Sequence, residues 1–73
     1  MDLRDFRTLV GWTLESVADE VGSTKGTLSK IEHGLLVPRG DLMLRLSHWA
    51  EEERRRRRLP ASQRLEWDHL LAE

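Results

Sequence analysis

The chain has 73 residues, 12 basic against 13 acidic side chains, a net charge of −1 and no cysteine, which allows one small domain burying about 60% of the surface its unfolded form exposes. Stability is expected to be marginal, so that a partner subunit would help, and neither a disulfide framework nor a thiolate metal site can be built. No apolar run is long enough to span a bilayer, and the opening MDLRDF has neither the basic flank nor the apolar block of a secretion signal, so a soluble chain in a reducing cytoplasm is expected.

The first predicted helix starts behind Asp2, a suitable N-cap, carries Leu3, Phe6, Leu9 and Val10 at helical spacing, and stops at Gly11. Thr13 caps a second helix, with Glu15 placed where a negative charge favours the dipole, a stripe of Val17, Ala18 and Val21, and Gly22 as its left-handed end. Ser23 or Thr24 caps a third, whose buried pair is Leu28 and Ile31 and which Gly34 ends. After Pro38, Asp41 opens a fourth helix in which Leu42, Leu46 and Trp49 fall at i, i+4, i+7 with Met43 beside them. EEERRRRR follows Ala50, Leu59 and Pro60 make a break, and Ser62 caps an expected fifth helix with Trp67, Leu70 and Leu71 on one side. There is no β alternation and no internal repeat. The reading is an all-α single domain, organised as a core over 1–50 and a charged helix extension with a C-terminal helix over 51–73 for dimerisation or partner binding.

The segment GSTKGTLSKIEHG has only two residues suited to a core. The intervals from Ala18 to Gly22, Leu28 and Ile31 ask for two short helices meeting at a tight turn, the second docked by a narrow stripe. A helix that inserts most of its circumference into a groove is buried on a thin side only. At 100° per residue the opposite side carries Gly26, Ser29, Lys30 and His33, with Thr24 and Lys25 at the N-terminal end. These groups are small, polar or cationic and suit a polyanion. Overall charge gives no support to nucleic-acid binding, but Lys25, Lys30 and Arg39 have only Glu32 among them as an acid, whereas Asp19, Glu20 and Glu51 to Glu53 gather elsewhere.

The frame R-x5-T-x4-A-x3-G-x5-L-x2-IE-x-G, from Arg7 through GWTLESVADEVGSTKGTLSKIEHG and on to Pro38, resembles the Cro/C1-type (XRE) helix-turn-helix family of phage and bacterial repressors over roughly Leu3 to Ala50. The resemblance implies a compact four- to five-helix, lambda-repressor-like domain, a recognition helix from about Thr24 to His33 in the major groove of double-stranded DNA, and a two-fold homodimer. It implies base contacts for Lys25, Gly26 and Lys30, phosphate or base-methyl neighbours for Thr24 and Thr27, and a structural ion pair between Arg7 and Glu32. Ser29, His33 and Arg39 complete the expected DNA-binding set. Three positions depart from the family pattern: Leu14 replaces the usual glutamine, Ser23 the usual valine of the turn, and Gly26 has no side chain at a reading position.

Other chemistry finds little support. Glu32 has no acid or nucleophile partner and Ser29 has no histidine base, so no catalytic residue is assigned. His33 shows no ligand spacing with His48 or His69, so no metal or cofactor is assigned. Glu51, Glu52 and Glu53 precede Arg55, Arg56 and Arg57 by four residues, which favours a solvated, self-paired helix over phosphate contact by the run Arg54 to Arg58. The expected function is a sequence-specific transcriptional repressor at an inverted-repeat operator. The alternatives are an antitoxin or anti-CRISPR-associated operon autoregulator that also binds a protein through its C-terminal helix, and an RNA binder using the arginine run.

Overall fold

The computed structural model describes residues 1–66, in which α1 (Leu3–Val10), α2 (Leu14–Val21), α3 (Lys25–Glu32), α4 (Gly40–Arg56) and a single 3-10 turn (Ala61–Gln63) follow in chain order. No strand occurs among the described residues, so the architecture is all-α. None of these helices is long and apolar enough to cross a membrane.

Local chemistry sets the boundaries of the first three helices. The Asp2 carboxylate accepts from the Asp5 amide at 2.9 Å, and Thr13 with Ser16 forms a reciprocal capping box, each pairing first-turn amides that a helix leaves unsatisfied. Thr24 does the same for α3, accepting from the Thr27 amide at 3.1 Å. Gly22 takes the left-handed conformation at φ 69°, and the Ser23 amide returns to the Ala18 carbonyl at 2.8 Å, closing α2 in the Schellman manner. That closure leaves room for only two residues between α2 and the Thr24 cap, so α3 departs at once in a new direction.

The core lies where the four helices meet. Leu3, Phe6 and Val10 of α1, Val17, Ala18 and Val21 of α2, Leu28 and Ile31 of α3, and Leu46, Trp49 and Ala50 of α4 are all buried. Trp49 is its aromatic centre: Phe6 and Trp12 both meet it edge to face, with ring centroids 5.6 and 5.5 Å away, pairs worth about 0.5–1.5 kcal/mol each beyond area burial. Arg45 joins α4 to the turn, its Nη1 donating to the Val21 carbonyl at 3.2 Å. That bond satisfies one of the last carbonyls of α2.

Four expectations are corrected. Leu9 is 41% exposed, because Leu3, Phe6 and Val10 already define the inward direction of α1 and Leu9 falls on its flank. α4 opens at Gly40, with Arg39 in the cap position and Asp41 within the first turn. Glu53 is buried at 2% exposure and does not belong to a solvated charge run. Ser62 caps no helix: it lies inside the 3-10 turn, after which Arg64 returns to extended backbone at φ −111°, ψ 160°. The N-terminus competes for this segment, since Met1 donates its ammonium to the Arg64 carbonyl at 3.3 Å and to Glu66 Oε1 at 3.2 Å, while its own carbonyl accepts from the Glu66 amide at 2.9 Å. Trp67, Leu70 and Leu71, the expected apolar side of a fifth helix, lie outside the described residues.

Candidate nucleic-acid interface

α3 is attached to the body by two apolar side chains and one ion pair. Leu28 and Ile31 are buried. At the other end of the helix, Arg7 Nε and Nη2 donate to the two Glu32 carboxylate oxygens at 2.7 and 3.3 Å. The fork-to-fork geometry fixes orientation as well as distance, and both side chains are largely withdrawn from water, at 17% and 5% exposure. Arg7 Nη1 also donates to the Trp12 carbonyl at 2.9 Å. A single guanidinium therefore ties α1, the α1–α2 turn and the last residue of α3 together.

The outer side of α3 is assembled from the remaining residues. Thr24, Lys25, Gly26, Lys30 and His33 are exposed, and Thr27 and Ser29 are half-exposed. Thr24 Oγ1 lies 2.9 Å from Thr27 Oγ1, donating to it while it accepts the Thr27 amide, so the Thr27 hydroxyl proton is not used in this pair. His33 Nδ1 sits 2.7 Å from the Ser29 carbonyl. A carbonyl only accepts, so that nitrogen carries the proton and the other ring nitrogen faces away from the bond. Lys25, Lys30 and Arg39 form no ion pair among the described residues. Arg39, exposed in the α3–α4 loop, stands just beyond α3 in the chain. The site thus combines uncompensated cations, small side chains and hydroxyl donors on one short helix.

The arginine run behaves differently. Arg55 reaches Glu51 at 3.4 Å, Arg56 and Arg57 reach Glu53 at 3.3 and 3.1 Å, and Arg54 pairs with Glu51 while donating to the Leu59 carbonyl. The Arg54 hydrogen bond, with the charges of Arg54 and Arg55, holds the Glu51 carboxyl below the ordinary glutamate value against the opposing effect of desolvation, and the Glu51 bond raises Arg54 in turn. Glu53 is the residue that sequence reasoning missed. Its Oε1 accepts from Trp12 Nε1 and from Arg57 Nε, both at 3.1 Å, and so joins the α1–α2 turn to the end of α4. The signal was present, because position 53 continues the stripe of Leu46, Trp49 and Ala50 at helical spacing.

Gly22 belongs to this geometry through the turn it makes. A Cβ there would also lie 3.3 Å from Arg45 Nη1, so strain and crowding both oppose a larger residue. No group of three or more metal-ligating side chains occurs among the described residues.

Residues 3–48 match the sequence profile of a helix-turn-helix family. No curated protein and no solved structure matches the chain. The profile spans α1 through the first half of α4 and includes every residue placed on the outer side of α3. With its capped α2, two-residue turn and exposed α3, the chain belongs to the Cro/C1-type (XRE) helix-turn-helix family of DNA-binding regulators.

Proposed function

We propose that this protein is a dimeric, sequence-specific transcriptional repressor of the cytoplasm that occupies an inverted-repeat operator with α3 in the major groove. The observation that carries this reading is the contrast between the two sides of α3: Leu28, Ile31 and the Arg7–Glu32 pair hold it from behind, while Lys25 and Lys30 project without an acidic partner among the described residues. Lys30 donates to guanine O6 and N7. Lys25 and the neighbour position Gly26 meet base edges, and Thr24, Thr27, Ser29, His33 and Arg39 set position on the phosphates. No chemistry is performed; occupancy of the site blocks transcription.

The α3–α4 loop supports pairing of two copies. Leu35, Leu36 and Val37 are exposed at 76%, 39% and 37% beside the reading helix, a concentration of apolar surface that a two-fold neighbour would cover. Residues 51–73 are the second candidate for this contact, and a protein partner there is the mark of the autoregulator reading. RNA binding through the arginine run is disfavoured by the Glu51 and Glu53 contacts of Arg54 to Arg57.

Footprinting of the purified protein on the DNA upstream of its own coding sequence tests the proposal. A symmetric protected site with half-sites about 34–36 Å apart is expected. Equal affinity for every duplex offered, with no protected site, would overturn it.

A further inference from the structure

Four of the five glycines have a reason inside the molecule, and Gly26 has none. Gly11, Gly22, Gly34 and Gly40 all hold positive φ between 55° and 76°, the region that favours glycine. Gly26 is the second residue of α3, with no such conformation, and a Cβ built on it meets no protein atom within 4 Å. Neither backbone nor packing asks for glycine at this position. The helix is nevertheless disadvantaged by it, since glycine is among the poorest helix formers and α3 has only eight residues and two buried side chains to hold it.

The surroundings of Gly26 indicate what the gap faces. It lies on the exposed side, beside Lys25 and one turn before Lys30. Residues four apart share a helix face, so Lys30 stands on the same side as the gap at residue 26, and the gap itself is open, with no protein atom within 4 Å of a Cβ built there. A bare, open stretch of helix backbone therefore lies one turn before a cation without an acidic partner among the described residues. In a major groove the thymine methyl is the apolar feature a base pair presents to such a gap, and guanine O6 and N7 are the acceptors suited to a lysine such as Lys30.

We propose that Gly26 is a steric specificity position, where the missing side chain admits the edge of a base pair to the backbone of α3. The proposal rests on the DNA-binding reading above. Glycine here replaces a hydrogen-bonding reader with a shape reader: the base pair is selected because it fits, and Lys30 inspects its neighbour.

The test compares the wild-type protein with Gly26→Ala on the footprinted operator, on the same operator with each half-site thymine replaced in turn by uracil, and on unrelated duplex. Thermal unfolding is measured alongside. The expected result is an unchanged or raised unfolding temperature for Gly26→Ala with affinity for the operator reduced about tenfold or more, little change on unrelated DNA, and one uracil replacement that weakens the wild type but not the variant. Gly26→Ala binding as tightly as wild type would overturn the proposal while leaving the DNA-binding reading intact. An equal loss on operator and unrelated duplex would place Gly26 against the phosphates and also overturn it, as would a fall in unfolding temperature, which would show that the fold itself requires glycine. Failure of the wild type to prefer any duplex would remove the parent reading and this inference together.

Discussion

The two most basic regions of the chain differ in whether their charge is available. Arg54 to Arg58 is the densest cationic run, yet Arg54 to Arg57 each lean on Glu51 or Glu53. α3 has only Lys25 and Lys30, with no acidic partner among the described residues. Density of charge along a sequence is therefore a poor guide to which cations are available, and pairing within the fold is the better one. Behind each region stands a buried carboxylate, Glu32 for α3 and Glu53 for the arginines, and these too are held differently. Glu32 faces a guanidinium that is itself withdrawn from water, whereas Glu53 faces Arg56 and Arg57, which remain 70% and 43% exposed.

The sharpest way to break this contrast is to remove the carboxylates. Glu32→Ala strands the half-buried Arg7 and should cost about 3–5 kcal/mol, enough to unfold much of so small a domain and abolish DNA binding with it. Glu53→Ala should cost less, about 1–3 kcal/mol, because its arginines regain water and the Trp12 indole N–H is the main group left without an acceptor. Urea titration of both variants checks the order; equal losses would show that the two pairs are equivalent. Lys30→Ala comes next, weakening the operator complex by about 1–3 kcal/mol and broadening sequence choice while the circular dichroism spectrum stays helical.

A finer comparison sets one cation against another. Neutralising the phosphate-side cation as Arg39→Gln should reduce the salt slope of DNA binding by about 1, whereas Arg55→Gln should leave the slope nearly unchanged and alter stability by less than about 1 kcal/mol. A larger slope change at Arg55 would return the arginine run to the interface. The smallest expected effect is acid-linked. Glu51 titrates below its ordinary value of 4.5 in the folded chain, so its favourable contribution is present above that pH and is lost as pH falls through the lowered folded value. The difference in unfolding temperature between wild type and Glu51→Gln should shrink on acidification through this range.

Much of this could be read in advance because short helices are marked by their ends. Asp2, Thr13 and Thr24 with the glycines at 11, 22 and 34 bracket three helices, and the thin stripe of Leu28 and Ile31 already announced an exposed α3. What escaped depended on distant partners. Glu53 reads as one member of an acidic triplet until Trp12, 41 positions away, is seen to donate to it. Where a helix is expected to start at Ser62, the described residues up to Glu66 form a 3-10 turn and extended backbone that meets Met1, and nothing in local composition pairs the first residue with the sixty-sixth. The outer residues of α3 were legible as a set, since their identity depends on what they do not touch.

The clustering of Phe6 and Trp12 against Trp49 has a practical corollary. Trp49 is buried, Trp12 is half-buried against it, and neither lies on the outer side of α3, so ultraviolet emission from this pair is expected to report loss of tertiary packing and not arrival of a ligand. In a Trp67→Phe background the intrinsic fluorescence becomes a clean unfolding probe, and association has to be followed through a dye carried by the oligonucleotide.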